Sequence, residues 1–172
     1  MIGPTAGVLG VTGWSGAGKT TLITAILPVL AARGLRVSTV KHAHHDVDLD
    51  RPGKDTYRHR AAGAVEVMLA TANRWALLHE LPEGELPPLD TLLAHMTAVD
   101  LVLVEGFKSR AYPQILLHRA GQGKPLPEIR GPHVVAVASD AALADLDLPV
   151  LPLNDVAAIA DFAAGFARSP AR

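Results

Sequence analysis

No cysteine occurs among the 172 residues. That excludes disulfides and thiolate metal sites, and it fits a reducing, cytoplasmic setting. Aromatic residues are only 4% of the chain, so Ala, Leu and Val must build the core, the usual case for helices packed on a parallel sheet. Charge of one sign is missing as well. Sixteen Lys and Arg against seventeen Asp and Glu leave a formal net charge of -1, and nothing draws the whole molecule to nucleic acid or to an anionic membrane. There is no apolar run of about 18 residues, so no transmembrane helix is expected. The first residues lack a basic segment followed by a long apolar one, so no secretory signal is expected either. Residues 1–172 have the length of one domain with a sizeable core.

What is present begins with Gly13-Trp14-Ser15-Gly16-Ala17-Gly18-Lys19-Thr20. This is G-x-x-x-x-G-K-[ST], the P-loop, with no position out of pattern. Its backbone N–H groups curl around a β-phosphate, Lys19 reaches the β/γ oxygens, and the Thr20 hydroxyl can hold Mg²⁺. The flanks agree. Residues 7–12 read as a buried strand, and residues 20–33 read as a helix that stops at Gly34. Strand, glycine-rich loop and helix are the order the motif requires. Pro28 lies inside the helix and should kink its last turns.

Along the rest of the chain, strands are predicted at 35–40, 101–104, 114–118 and 133–138, and helices at 54–62, 89–96 and from a cap at Asn154 to Phe166. Residues 65–70 and 75–79 read as two strands of a hairpin. Residues 121–132, rich in Gly and Pro, read as a mobile surface loop. The alternation of strand and helix predicts an α/β fold: a mainly parallel sheet flanked by helices, with the hairpin added to it.

Asp100-Leu101-Val102-Leu103-Val104-Glu105-Gly106 is an apolar strand ending in an acid and a glycine. A P-loop protein needs a carboxylate at that end of a neighbouring strand, to bind Mg²⁺ or to polarise a water, so Glu105 is the candidate. Asp100 should lie at the opposite end of the sheet. The segment from Lys41 to Asp50 should face a γ-phosphate. There Lys41 is a phosphate candidate, and Asp46 or Asp48 could position Mg²⁺ or a water. His42, His44 and His45 invite a zinc reading, but H-x-H-H alone lacks a full tetrahedral set. Lys54, Arg58, His59 and Arg60 could hold a second anion or form a solvated helix face. Lys108 and Arg110 pose the same choice.

Four blocks together resemble the molybdopterin-guanine dinucleotide biosynthesis adaptor family, MobB. They are Gly13 to Thr20 with Thr21-Leu22; Val40-Lys41-His42-Ala43-His44-His45-Asp46; Asp50 to Ala64 with its P-G-K-D-T-Y-R-H-R core; and Leu103-Val104-Glu105-Gly106-Phe107-Lys108. The P-loop is widespread, whereas the second and third blocks are far more specific. The resemblance implies a P-loop GTP-binding protein with GTP and Mg²⁺ as cofactors and weak GTPase activity. It also implies a cytoplasmic homodimer assisting the guanylyltransferase MobA, which joins GMP to molybdopterin. Molybdopterin itself is a further possible ligand. The nucleotide contacts would be Gly13, Trp14, Ser15, Gly16, Ala17, Gly18, Lys19, Thr20, Thr21 and Lys41. Thr20 and Glu105 would serve the metal, and Lys19, Glu105 and Asp46 the chemistry. The hairpin, with its open edges, would serve dimerisation.

The N-K-x-D guanine-reading motif is absent. Guanine offers donors at N1 and N2, so a carboxylate past a late strand would suit it, and Asp140 stands at such a place. Two other classes use the same residues. A small-molecule kinase would hold its acceptor on Arg58 and Arg60, and a non-catalytic interaction module would keep the nucleotide without turnover.

Overall fold

Gly7–Gly13 forms β1, and Leu101–Glu105 (β5) and Gln114–His118 (β6) pair with it on either side. Val37–Lys41 (β2) lies outside β5; Val134–Ser139 (β7) and Val150–Pro152 (β8) extend the other flank. The order is β2-β5-β1-β6-β7-β8, and every pairing is parallel. All five residues of β5 are buried, as a near-continuous apolar strand in a covered parallel sheet should be. This computed structural model describes residues 7–43, 48–81, 86–107, 112–129, 132–144 and 146–168. The chain divides into two units, Met1–His42 with Ala94–Arg172, and Ala43–Leu93.

In the first unit, Lys19–Ala32 (α1) and Val156–Ala164 (the last helix, α4) share one core with the sheet. Leu22, Ile23, Ile26 and Leu30, spaced three and four apart, present one helical face. They meet Leu9 and Val11, Leu101 and Leu103, Ile115 and Leu117, and Ala136 and Ala138, the alternate residues of four strands. Small side chains in β7 and in α4 (Ala160, Ala163) bring helix and sheet close, with Phe162 and Phe166 packed at the margin. Pro28 lies inside α1, which runs on to Ala32. Gly34 ends it at φ +79°, and the Leu35 N–H returns to the Leu30 carbonyl at 3.2 Å, the pattern of a glycine-terminated helix.

The second unit holds Asp55–Ala61 (α2), a two-stranded antiparallel sheet of Glu66–Ala70 (β3) and Trp75–His79 (β4), and Leu89–Ala94 (α3), whose last residue passes into the first unit. The β3–β4 sheet is separate from the six-stranded one. It is the predicted hairpin, closed by Thr71, whose N–H donates to the Arg74 carbonyl at 2.9 Å.

Two local readings need correction, and one strand went unpredicted. Asp155, not Asn154, caps α4: its carboxylate accepts the Ala158 N–H at 2.9 Å. The acceptor must stand three residues before that amide, and Asn154 is one residue too early. Strand β8 had no sequence prediction. Pro149 precedes it and Pro152 is its last residue, and proline is compatible with a strand at a sheet edge, where β8 sits. Finally, the stretch after β6 is not simply a surface loop. It opens with a 3₁₀ turn at Ala120–Gln122 and is bonded to the P-loop, as described below.

Leu103 is fully buried at the centre of this core. Leu103→Ala is expected to destabilise the protein by about 2–5 kcal/mol; an urea-unfolding difference below about 1 kcal/mol would contradict its central position. Asp155→Ala should cost about 1 kcal/mol through loss of the α4 cap. Asn154→Ala, tested the same way, should be near neutral.

Candidate functional site

The P-loop turns on glycines. Gly13 has φ +144°, and a Cβ there would come within 2.7 Å of the Leu117 carbonyl oxygen of β6. Only a residue without a side chain lets the loop leave β1 this close to its neighbour. Ala17 is buried beneath the loop, and its N–H donates to the Trp14 carbonyl at 3.1 Å. Gly18, left-handed at φ 93°, leads into α1. The first amides of α1 have no preceding turn to bond, so they face the loop's hollow with the positive end of the helix dipole behind them. The Lys19 ammonium arches over that hollow, donating to the carbonyls of Gly13 at 3.2 Å and Trp14 at 2.9 Å. Thr21 follows in the first turn, its carbonyl accepting from the Thr24 hydroxyl at 2.9 Å.

The second half of the site comes from β5. In-register pairing sets Val11 beside Glu105, so the acid emerges at the sheet's C-terminal end next to the P-loop. The Thr20 hydroxyl lies 3.0 Å from each Glu105 carboxylate oxygen. Lys41, the register partner of Glu105 on β2, brings its ammonium within 3.4 Å of Glu105 Oε1 and of Thr20 Oγ1. A hydroxyl and a carboxylate are the hard oxygen donors Mg²⁺ takes, and a cation is already drawn to the point they share, so the residues present fit that ion. Gly106 permits the arrangement: at φ +101° it passes so near β2 that a Cβ would stand 2.9 Å from the His42 carbonyl oxygen. Asp100 lies at the other end of β5, as expected, accepting the Arg36 N–H at 2.7 Å.

A part of the site that motif reading missed follows β6. Gln122 donates its amide to the Gly16 carbonyl. Lys124 reaches the Ser15 carbonyl at 3.4 Å and lies 5.8 Å from the centre of the Trp14 ring. The Trp14 indole N–H donates to the Pro125 carbonyl at 2.9 Å. Asp140, past the end of β7, uses Oδ1 to accept the Ala120 N–H at 2.7 Å, while Oδ2 lies 3.7 Å from Arg119. The available signal was the cluster of cations and amides at Arg119, Gln122 and Lys124, which no motif groups together.

In the second unit the basic block is sorted by its partners. Arg60 is engaged by Asp48 through two 3.1 Å bonds and by Glu80 at 3.2 Å, and lies over the Tyr57 ring. Asp48 is held below the usual carboxylate range, first by the Asp50 N–H and then by Arg60, while the same carboxylate raises Arg60. Asp48 is therefore tied to the helix. Arg58 and His59, with Asp55, Ala61 and Ala62, line an open cleft of about 640 Å³. His42 packs on Phe107 with ring centroids 4.9 Å apart. Among the described residues no three His, Cys, Asp or Glu side chains group as a metal site. The expectations for His44, His45, Asp46, Lys108 and Arg110 lie outside the described residues. No helix among the described residues is long and apolar enough to cross a membrane.

Comparison with known proteins narrows the family. The family model described as molybdopterin guanine dinucleotide synthesis protein B, MobB, matches residues 8–140. The molybdopterin-guanine dinucleotide biosynthesis adapter protein of Escherichia coli K12 is 46% identical over 158 residues, covering 90% of each chain. Its counterpart in Haemophilus influenzae is 47% identical over 157 residues, covering 90% of this chain and 86% of the relative. A crystal structure titled molybdopterin-guanine biosynthesis protein B superposes with a TM-score of 0.73 at 28% identity, covering 90% of this chain and 96% of the other. With the P-loop, its acid-ended neighbouring strand and the second unit's basic block all in place, the chain belongs to the MobB family.

Proposed function

We propose that this protein is a GTP-binding adapter with slow Mg²⁺-dependent GTPase activity. In this reading it acts in the cytoplasm and assists the MobA-type guanylyltransferase that joins GMP to molybdopterin. The observation that carries the nucleotide part is the 3.0 Å approach of the Thr20 hydroxyl to both Glu105 oxygens at the mouth of a complete P-loop. The adapter part is supported by the relatives, whose printed names state that role.

The chemistry assigned to the chain is electrostatic. P-loop amides and Lys19 stabilise charge on the β- and γ-phosphates, which matters more as water is excluded. Bound beside Thr20 and Glu105, Mg²⁺ would supply further neutralisation of that charge. Lys41, 3.4 Å from Glu105, balances the carboxylate before nucleotide arrives and is free to turn toward the γ-phosphate once the metal takes that role. Slow turnover is the expectation because no arginine finger is identified: among the described residues, Arg33 and Arg36 are engaged by Asp161 and Asp100. Base choice for GTP rests on the family.

The hairpin supports a homodimer. Met68, Trp75 and Leu77 stand 60%, 61% and 37% exposed, and all three lie on the same face, since Met68 opposes Leu77 and Trp75 opposes Ala70. An isolated two-stranded sheet with an exposed apolar face needs a partner surface.

Lys19→Ala is expected to weaken GTP binding at least tenfold, roughly the loss of one charge-assisted contact. Glu105→Gln should leave metal-free nucleotide binding within about threefold while reducing the Mg²⁺-dependent gain and turnover by about 10²-fold, the scale of one lost electrostatic group. Calorimetry and phosphate release check both, and unchanged Mg²⁺ dependence in Glu105→Gln removes the metal assignment. Trp75→Glu should give a monomer in light scattering at concentrations where the parent is dimeric; a parent that is already monomeric refutes the dimer.

A further inference from the structure

The two sides of the P-loop are chemically different. On the β5 side, Thr20, Glu105 and Lys41 converge, which marks the metal and γ-phosphate end. The nucleoside must then leave on the other side of β1, over the C-terminal ends of β6 and β7 in the six-stranded sheet. Arg119 follows β6 there, and Asp140 follows β7.

Arg119 is held from two directions. One guanidinium nitrogen lies 3.5 Å from where a Cβ on Gly18 would stand, against the last glycine of the P-loop. Another lies 3.7 Å from Asp140 Oδ2. The backbone on its C-terminal side is fixed as well. Asp140 Oδ1 takes the Ala120 N–H at 2.7 Å, and Gln122 bonds the Gly16 carbonyl. The carboxylate that stood as the guanine candidate thus already accepts one amide of this segment and is ion-paired with its guanidinium. A guanidinium has donors only and cannot accept from guanine N1 or N2, but its flat face is well suited to stacking on an aromatic ring.

We infer that Arg119 is the platform on which the purine ring of a bound nucleoside triphosphate rests, with Asp140 as the positioning residue that sets its plane. The inference builds on the nucleotide-binding reading above and adds the base subsite to it. A stacking platform favours purines over pyrimidines by their larger π-face, and distinguishes guanine from adenine only weakly. It also explains how a chain without N-K-x-D holds a base: the segment after β6 is braced on the P-loop itself by Gln122, Lys124 and the Trp14 indole.

The test separates base from phosphate. Binding of Mg-GTP and of Mg-tripolyphosphate, which has no base, is measured by calorimetry on the full chain, with Lys19→Ala as the reference variant. Arg119→Gln and Arg119→Lys are each expected to weaken Mg-GTP about tenfold, since lysine keeps the charge and loses the plane, while tripolyphosphate stays within about twofold. Asp140→Asn should show a smaller loss of the same selectivity. Thermal midpoints within a few degrees of the parent exclude a folding defect; where Arg119→Gln falls further, the Arg119→Lys measurement decides. Equal loss for both ligands would make Arg119 a phosphate contact, and no loss for either would make it a structural brace; both overturn the platform. If Lys19→Ala alters neither ligand, or the parent binds neither, the P-loop reading itself fails and the platform falls with it. Failure at Arg119 while Lys19→Ala behaves as expected leaves the P-loop reading standing.

Discussion

The parallel, in-register pairing of β1 with β5 is the constraint on which the rest of the structure depends. It runs from Gly7 beside Leu101 to Val11 beside Glu105. One strand delivers the P-loop and the other delivers the acid, and their common register brings Glu105 to the Thr20 hydroxyl. The same register continues outward, since Lys41 pairs with Glu105 across β2 and β5. A one-residue slip in a parallel strand would turn Glu105 to the other face. The buried alternate residues Leu101 and Leu103, packed against α1 and α4, oppose such a slip because it would take them out of the core. Core packing and site geometry are therefore one requirement met twice.

Glycine at strand ends is the second recurring device. Gly13 and Gly106 each pass so close to a neighbouring strand that a Cβ would meet a carbonyl oxygen, at 2.7 and 2.9 Å. Gly13 ends β1 and Gly106 follows the last residue of β5, where the chain must turn sharply while its neighbours remain paired. The functional side chains flank these glycines, so steric permission for the turn and the placement of Glu105 and Lys19 come together. The few aromatics sit at the margin of the core or outside it: Phe162 and Phe166 pack against its edge, Trp14 is bonded to the loop after β6, and His42 lies against Phe107.

The basic block of the second unit shows how residue type underdetermines role. Arg58 and Arg60 are two residues apart and were equivalent as sequence. Arg60 meets Asp48, Glu80 and the Tyr57 ring and ties the segment before α2 to the helix. Arg58 instead lines the open cleft with His59. Two residues in a helix are about 200° apart around its axis, so neighbours of identical chemistry face different surroundings, and only the fold says which one is structural.

The P-loop, the strand ending in Glu105, the hairpin and the parallel α/β class are legible in the chain because each is written in local spacing: eight contiguous positions, an apolar run with an acid at its end, two short strands around a turn. Membership of the MobB family was legible for the same reason, its specific blocks being contiguous. The tertiary structure decided what depends on residues far apart in the chain. It brought Thr20 to Glu105 across 85 positions, and it set Gln122 on Gly16 across 106. It gave Asp140 to Ala120 and Arg119. It also placed β8 at an edge where its prolines do no harm. Local pattern records which backbone conformation a segment prefers, whereas hydrogen bonds between loops depend on strand order and register, and these exist only once the sheet has formed.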